Sequence, residues 1–160
     1  MALKPGEKAV DFSAMAWFPQ EEKEGNFHLK DYRGKKVVLL FYPGDFTPVC
    51  TAEMCDFQDN IGAFRNVGVD VVGISVDPIA KHKEFAKKYQ LNFPLVSDDS
   101  REIGKQYGVI GPLGRSHRRA IFLIDEEGNV LWSKVEATAL FRTGAQKVLE
   151  IIEKTNNENH

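Results

Sequence analysis

The sequence predicts an α/β protein with a mixed β-sheet, on the evidence of three patterns. Residues 37–42 form an unbroken apolar run, which indicates a strand buried on both faces, and residues 69–76, rich in valine and isoleucine, are read as a second buried strand. Each is followed by a segment whose apolar residues recur at helical spacing. Residues 119–125 and 129–134 are two further strands separated by three loop residues, which is typical of an antiparallel hairpin. Together these patterns predict a parallel core with an antiparallel edge.

Length and composition limit the possible classes of protein. A chain of 160 residues favours one domain, spanning residues 1–160. Its 42% hydrophobic and 28% charged residues are ordinary for a soluble globular protein and exclude a disordered or collagen-like chain. The formal net charge of -2 gives no sign of nucleic-acid binding. We expect no membrane partner, because the apolar runs are too short, and a cytoplasmic location, because no signal sequence is visible.

The first elements are predicted from apolar spacing and from the prolines and glycines that end strands and helices. Residues 11–16 are expected to form a short strand or hairpin, as an N-terminal β extension, and residues 20–26 a polar insertion. Pro43 and Gly44 end the first core strand. The next helix is predicted as one element closed by Gly68. Its apolar residues lie three or four positions apart, on one face: Met54, Phe57, Ile61 and Phe64.

The second helix has Asp77 as its candidate N-cap and Pro78 as its first residue. A short strand, a short helix, a glycine-rich loop and a last helix are predicted at residues 93–97, 100–107, 108–114 and 141–154. Residues 155–160 are polar and are expected to be a frayed tail.

The segment at residues 43–55 carries the chemistry, since it lies at the carboxyl end of a buried strand and opens a helix. Thr47 is a good N-cap, and Pro48 suits the first helical position, so Cys50 becomes the third helical residue. The free amides and the dipole at a helix start favour an anion, which predicts a reactive thiolate. The alternative is that Cys50 is a buried core residue, four positions before Met54.

Cys55 is the second cysteine. In an intact helix, two residues five positions apart have Cα atoms about 8.7 Å from each other, beyond the limit of about 7 Å for a disulfide. A bond between Cys50 and Cys55 therefore requires the first helical turns to unwind, which indicates a switchable bond and not a permanent one. The alternative is that Cys55 is an unreactive residue on the side of the helix.

No metal site is predicted. A structural zinc site needs four ligands, and no second cysteine pair completes C-x4-C. The histidines are scattered: His28, His82, His117 and His160. His82 falls on a helix face, where packing or surface exposure is the expected role.

Arg118 and Arg119 open an otherwise apolar strand. An arginine there is either exposed to solvent at the strand end or a cation that favours a thiolate and binds a polar oxygen substrate. The residues alone leave both alternatives open.

These motifs resemble those of the peroxiredoxin family. Pro43-x3-Thr47-x2-Cys50 is similar to the family's active-site motif, and residues 119–125 resemble the strand that carries its arginine. The similarity extends over residues 3–153. Cys-x4-Cys resembles the bacterioferritin-comigratory, or Q-type, subgroup, and no later cysteine matches the subgroup with a C-terminal resolving residue.

The resemblance implies a thioredoxin-like fold and the reduction of hydrogen peroxide and alkyl hydroperoxides, with no metal or organic cofactor. It implies that Cys50 is the peroxidatic thiolate and Cys55 the resolving thiol. The other implied site residues are Thr47, which binds the thiolate and peroxide, Arg119, which activates both, Pro43, which shields the pocket, and Glu53, near the arginine. The implied reductant is thioredoxin or a similar dithiol protein, and the chain is expected to be a monomer or a homodimer.

Two other functions fit the same fold. A thiol–disulfide oxidoreductase typically has C-x-x-C at the helix start, and this chain does not. A redox-sensing binding module would be oxidised by peroxide and pass the oxidation to a partner without turnover.

Overall fold

A seven-stranded β-sheet lies at the centre of the chain. The computed structural model describes residues 1–138 and 140–158. The strands are Ser13–Phe18 (β1), Lys23–His28 (β2), Lys36–Phe41 (β3), Val69–Ser75 (β4), Leu95–Ser97 (β5), Ala120–Ile124 (β6) and Val130–Val135 (β7). The helices are Pro48–Asp59 (α1), Ile61–Asn66 (α2), Ile79–Tyr89 (α3), Glu102–Tyr107 (α4) and Ala145–Glu158 (α5), with a 3₁₀ turn at Leu29–Tyr32.

The strand order is β2-β1-β5-β4-β3-β6-β7, and the sheet is mixed as predicted. Strands β3, β4 and β5 are parallel, whereas β6 and β7 form an antiparallel hairpin at one edge. At the other edge β1 pairs antiparallel with both β2 and β5. The parallel core follows from the helical crossovers, because parallel neighbours cannot be joined by a tight turn.

Apolar side chains cover both faces of the sheet. Successive residues of β3 point to opposite faces, so Val38 and Leu40 belong to one apolar cluster and Val37 and Leu39 to the other. The first cluster packs against α1, α2, α3 and α5, and the second against the 3₁₀ turn and α4. Burial on both faces explains why β3 has no polar alternation. Among the residues described, none of the helices is both long and apolar enough to cross a membrane.

The polar insertion predicted at residues 20–26 is wrong for its second half. Residues from Lys23 onward form β2, which pairs in register with β1 from Phe18 back to Ser13. Strand β2 is an edge strand in which Phe27 is buried and its neighbours stay polar, so no apolar run marks it.

The first helix is divided where one element was predicted. Helix α1 ends at Asp59 and α2 begins at Ile61. At the junction, the Asn60 side-chain amide donates to the carbonyl oxygen of Asp56 at 2.9 Å. Asparagine competes with helical bonding in this way, so the apolar face continues while the backbone bends.

Several predicted element ends are also shifted. Pro78 is the N-cap of α3 and not its first helical residue. Helix α5 begins at Ala145, four residues later than predicted, and continues to Glu158 where a frayed tail was expected. The Thr155 hydroxyl, which donates to the Ile152 carbonyl oxygen at 2.9 Å, stabilises this extension. Residues 159–160, the end of the predicted tail, lie outside the described residues.

Candidate active site

Helix α1 begins where the sequence predicted, at the carboxyl end of β3. Thr47 is the N-cap in extended conformation, Pro48 is the first helical residue, and Cys50 is the third. The first helical hydrogen bond joins the Thr51 N–H to the Thr47 carbonyl oxygen at 2.8 Å. The N–H groups of Val49 and Cys50 therefore have no partner within the helix and point out of its amino end. A negative charge at this end is favoured by these amides and by the helix dipole.

Arg119 lies against the Cys50 sulfur. Strand β6 runs antiparallel to β3 with Ala120 opposite Phe41, so the residue before Ala120 reaches the start of α1. Arg119 Nη1 lies 3.2 Å from Cys50 Sγ. Arg119 is 2% exposed and Cys50 is 0% exposed. Of the two alternatives for this arginine, exposure to solvent and proximity to the thiol, the structure shows the second.

Glu53 shares the same guanidinium. Its Oε1 accepts from Arg119 Nη1 at 2.8 Å, while its Oε2 makes no hydrogen bond to any residue described. Burial raises the pKa of Glu53 to about 7, although the Arg119 charge acts in the opposite direction. Burial lowers the pKa of Arg119, but the attraction of Glu53 and Cys50 outweighs it and the pKa is raised. Arg119 therefore stays charged beside the sulfur.

Thr47 and Pro43 lie in the loop before α1. The Thr47 hydroxyl donates to the Gly44 carbonyl oxygen at 3.1 Å. It caps no amide of α1, so the side-chain bond expected of an N-cap threonine is absent here. No bond from this hydroxyl to Cys50 occurs within the described chain, and its lone pairs remain available to a ligand. Thr47 is exposed and Pro43 is half-buried.

Both cysteines are free thiols on an unbroken helix. Cys50 is buried in the apolar cluster beneath α1, whereas Cys55 is partly exposed. Burial raises the pKa of the Cys55 thiol, and the negative charge of Asp59 raises it further. The two cysteines therefore differ in environment: one is next to a cation and the other next to an anion.

A buried histidine supports the loop before α1, and sequence reasoning gave it no such role. His82 Nδ1 lies 2.6 Å from Asp45 Oδ2, and His82 Nε2 lies 3.0 Å from the Val96 carbonyl oxygen. The Tyr42 hydroxyl donates to Asp45 Oδ1 at 2.6 Å, and the Asp45 N–H donates to Asp77 at 2.7 Å. The loop is thus bonded to the ends of β3 and β5 and to α3.

A second buried histidine supports the segment that carries Arg119. His117 Nε2 lies 2.7 Å from Asp98 Oδ2, and His117 Nδ1 lies 3.2 Å from the Ile74 carbonyl oxygen. Asp98 also accepts the N–H groups of Ile103 and Gly104. His117 is two residues before Arg119, so this network positions the start of β6 relative to β4.

Three polar residues of the loop network have the spacing of a metal site. Ligand atoms of Asp45, Asp77 and His82 lie within 4.8 Å of one another. Asp45 and His82 are already bonded to each other, and Asp77 accepts from Ser75 at 2.7 Å and Lys81 at 3.2 Å. These hydrogen bonds explain why the three side chains lie close together without a bound ion. The absence of a resident metal remains a prediction.

The sequence matches the AhpC/TSA family over residues 5–133. It is 41% identical over 144 residues to a peroxiredoxin bcp of Coxiella burnetii, which covers 85% of this chain and 92% of that protein. It is 42% identical over 116 residues to the chloroplastic peroxiredoxin Q of Triticum aestivum, which covers 66% of this chain and 54% of that protein.

Solved structures give the same result. The peroxidoxin BcpB of Mycobacterium tuberculosis has a TM-score of 0.80 and 32% identity, covering 95% of this chain and 97% of that one. The reduced 2-Cys peroxiredoxin of Plasmodium vivax has a TM-score of 0.91 and 30% identity, covering 98% of this chain and 84% of that one. These likenesses confirm the predicted thioredoxin-like fold, with its mixed sheet flanked by helices.

Proposed function

The chain belongs to the AhpC/TSA family, among the peroxiredoxins of bacterioferritin-comigratory and Q type, and on that premise we propose that Cys50 is its peroxidatic residue. One observation carries the proposal: the Cys50 sulfur lies at the amino end of α1 with Arg119 Nη1 3.2 Å away. A guanidinium and free helix amides are the groups that stabilise a thiolate and the charge that develops when it attacks a peroxide.

In the first step the Cys50 thiolate attacks one peroxide oxygen. The S–O bond forms as the O–O bond breaks, which leaves a sulfenic acid on Cys50. The departing oxygen takes up a proton and leaves as water from hydrogen peroxide, or as an alcohol from an alkyl hydroperoxide. Arg119 and the free amides at the start of α1 stabilise the charge on both oxygens, and the Thr47 hydroxyl binds the peroxide. Because Cys50 is buried while Thr47 and Pro48 are exposed, peroxide enters along this loop.

Two further residues support the first step. Pro43 lies half-buried in the loop and shields the reacting oxygens from water. Glu53 orients the guanidinium through its 2.8 Å bond to Arg119 Nη1. It is therefore a positioning residue, which acts on the sulfur through Arg119.

In the second step Cys55 resolves the sulfenic acid. The Cys55 thiol gives up its proton and its sulfur attacks Cys50, so that an S–S bond forms as the S–O bond breaks, and the oxygen leaves as water. A dithiol protein of the thioredoxin type then reduces the disulfide and becomes oxidised itself. We place the protein in the cytoplasm, as a single domain that is a monomer or a homodimer.

A stoichiometric titration tests this scheme. One equivalent of hydrogen peroxide is added to the reduced parent chain, to Cys50→Ser and to Cys55→Ser, and intact masses are measured. We expect the parent to lose two hydrogens, Cys55→Ser to gain one oxygen, and Cys50→Ser to stay unchanged. An unchanged parent contradicts the proposal. Oxidation of the parent without turnover in the presence of thioredoxin and an NADPH-linked reductase favours the redox sensor.

A further inference from the structure

The bond between Cys50 and Cys55 cannot form on the helix as it stands. Helix α1 is unbroken from Pro48 to Asp59. Five helical positions separate two Cα atoms by about 8.7 Å and turn the side chains about 140° apart, whereas a disulfide needs less than about 7 Å. The helix must therefore unwind between Cys50 and Cys55, and Cys55 leaves its helical position where the unwinding reaches it.

Asp56, the residue after Cys55, is bonded to residues outside α1. Its Oδ2 accepts the N–H of Ala145, the first residue of α5, at 2.8 Å. The same oxygen accepts from Arg142 Nη1 at 3.2 Å. We name these two bonds the Asp56 tether. The Asp56 side chain is 30% exposed, so the tether is partly shielded from water.

The other end of the tether is itself bonded to the sheet. The Glu136 N–H donates to the carbonyl oxygen of Arg119 at 2.9 Å. The Glu136 carboxylate accepts from the Thr143 hydroxyl at 2.8 Å. Beyond Thr143, α5 buries Ala145 and Val148 in the apolar cluster that it shares with α1. Asp56 is therefore held by a segment that is fixed to Arg119, the residue before β6, and to the core.

Movement of Cys55 acts directly on the tether. Neighbouring Cα atoms are about 3.8 Å apart, so Asp56 is carried along when Cys55 leaves the helix. A hydrogen bond of 2.8 Å is lost once donor and acceptor separate beyond about 3.5 Å, which takes less than one ångström of movement. On the premise of the peroxidase function proposed above, we propose that Asp56 is a positioning residue whose tether keeps Cys55 in α1 and sets the rate of disulfide formation.

The tether also sets how the sulfenic acid on Cys50 is partitioned. Once the tether opens, Cys55 attacks, the S–S bond forms and the oxygen leaves as water. While the tether holds, a second peroxide can transfer an oxygen to the sulfenic acid, which gives the sulfinic acid and a further water. A tighter tether therefore lowers the peroxide concentration at which Cys50 is overoxidised.

Three variants separate the tether from the charge of the carboxylate. Asp56→Ala removes both bonds, and Asp56→Asn removes the ion pair while an amide oxygen can still accept the Ala145 N–H. The matched control is Asp59→Asn, on the same helix. Asp59 is exposed and its side chain makes no hydrogen bond or ion pair within residues 1–138 and 140–158, although its charge raises the pKa of Cys55. The control therefore measures the effect of removing charge without a tether.

The measurement follows each step after mixing with one equivalent of hydrogen peroxide. Stopped-flow tryptophan fluorescence gives the rate of Cys50 oxidation, and acid quenching with intact mass gives the rate of disulfide formation. We expect Cys50 oxidation to stay within about twofold of the parent in every variant. Disulfide formation is expected to be at least about fivefold faster in Asp56→Ala than in the parent and in Asp59→Asn, with Asp56→Asn between them. At about ten equivalents of peroxide, Asp56→Ala yields less sulfinic acid.

Disulfide formation in Asp56→Ala that is no faster than in Asp59→Asn overturns the inference. If Asp56→Ala fails to fold, Asp56→Asn against Asp59→Asn decides, because both replace a carboxylate by an amide. A parent that never loses two hydrogens refutes the proposed function itself, and the tether with it. A parent that forms the disulfide with no difference among the variants refutes the tether alone.

Discussion

The buried pairing of Glu53 with Arg119 predicts a pH dependence of stability. Burial raises the pKa of Glu53 from 4.5 to about 7 in the folded chain. The folded state then binds this proton more tightly than the unfolded state. The stability that Glu53 contributes is thus complete below about pH 4.5 and is lost as the pH rises through about 7. At about 1.36 kcal/mol per pKa unit, the loss is roughly 3 kcal/mol.

Glu53→Gln isolates this effect because glutamine keeps the shape of the side chain and cannot ionise. At low pH both side chains are neutral, so ionisation of Glu53 makes no difference between the free energies of unfolding of the two proteins. The quantity compared is the free energy of unfolding of Glu53→Gln minus that of the parent. This difference is expected to rise by roughly 3 kcal/mol between low pH and about pH 8. Urea unfolding followed by circular dichroism, in the presence of a reductant, measures both values across this range.

The matched control is Glu102→Gln, which removes a carboxylate that is 62% exposed and pairs with Lys105 at the surface. It reports the effect of losing an exposed negative charge at each pH. The reasoning is refuted if the difference between Glu53→Gln and the parent stays constant within about 0.5 kcal/mol or decreases with pH. A constant difference would mean that the attraction of Arg119 balances the effect of burial on the pKa of Glu53, and a decreasing difference would mean that the attraction outweighs it.

Three further predictions follow from the site. Arg119→Gln removes the cation at the sulfur and is expected to slow Cys50 oxidation roughly 100-fold in stopped-flow experiments, whereas an unchanged rate would exclude a role for the guanidinium. Cys55→Ser is expected to accumulate a sulfenic acid that dimedone traps, and to lose at least about tenfold in thioredoxin-linked turnover; equal turnover would mean that another thiol resolves Cys50. His82→Leu leaves the buried Asp45 carboxylate without its ring partner and is expected to lower the free energy of unfolding in urea by about 3 kcal/mol. A loss under about 1 kcal/mol would mean that Asp45 does not depend on this partner.

The start of α1 could be predicted from sequence because its causes are local. Thr47 and Pro48 satisfy the rules for the first helical turn by themselves, and they determine that Cys50 is the third residue. Strands β3 and β6 could be predicted because burial on both faces leaves a continuous apolar run. The meeting of Cys50 with Arg119 is different, because 69 residues separate them and only the pairing of β6 with β3 brings them together.

Features that depend on distant partners were missed. His82 and Asp45 are 37 residues apart, and His117 and Asp98 are 19 apart, so no spacing rule connects either pair. The side-chain bond expected from Thr47 to the helix is replaced by one to Gly44, which depends on the conformation of the loop.

Strand β2 was missed because an edge strand needs few apolar residues.

The two histidine networks have a shared consequence for catalysis. Ile74 and Val96, whose carbonyl oxygens they contact, stand opposite each other in the pairing of β4 with β5. The loop before Cys50 and the segment before Arg119 are thus both held, through their histidines, by the same pair of residues in the sheet. If α1 unwinds and refolds in every cycle, Ile74 and Val96 stay in place, because they belong to β4 and β5 and not to the helix. When α1 refolds after each turnover, the sheet therefore restores the distance between the Cys50 sulfur and the Arg119 guanidinium.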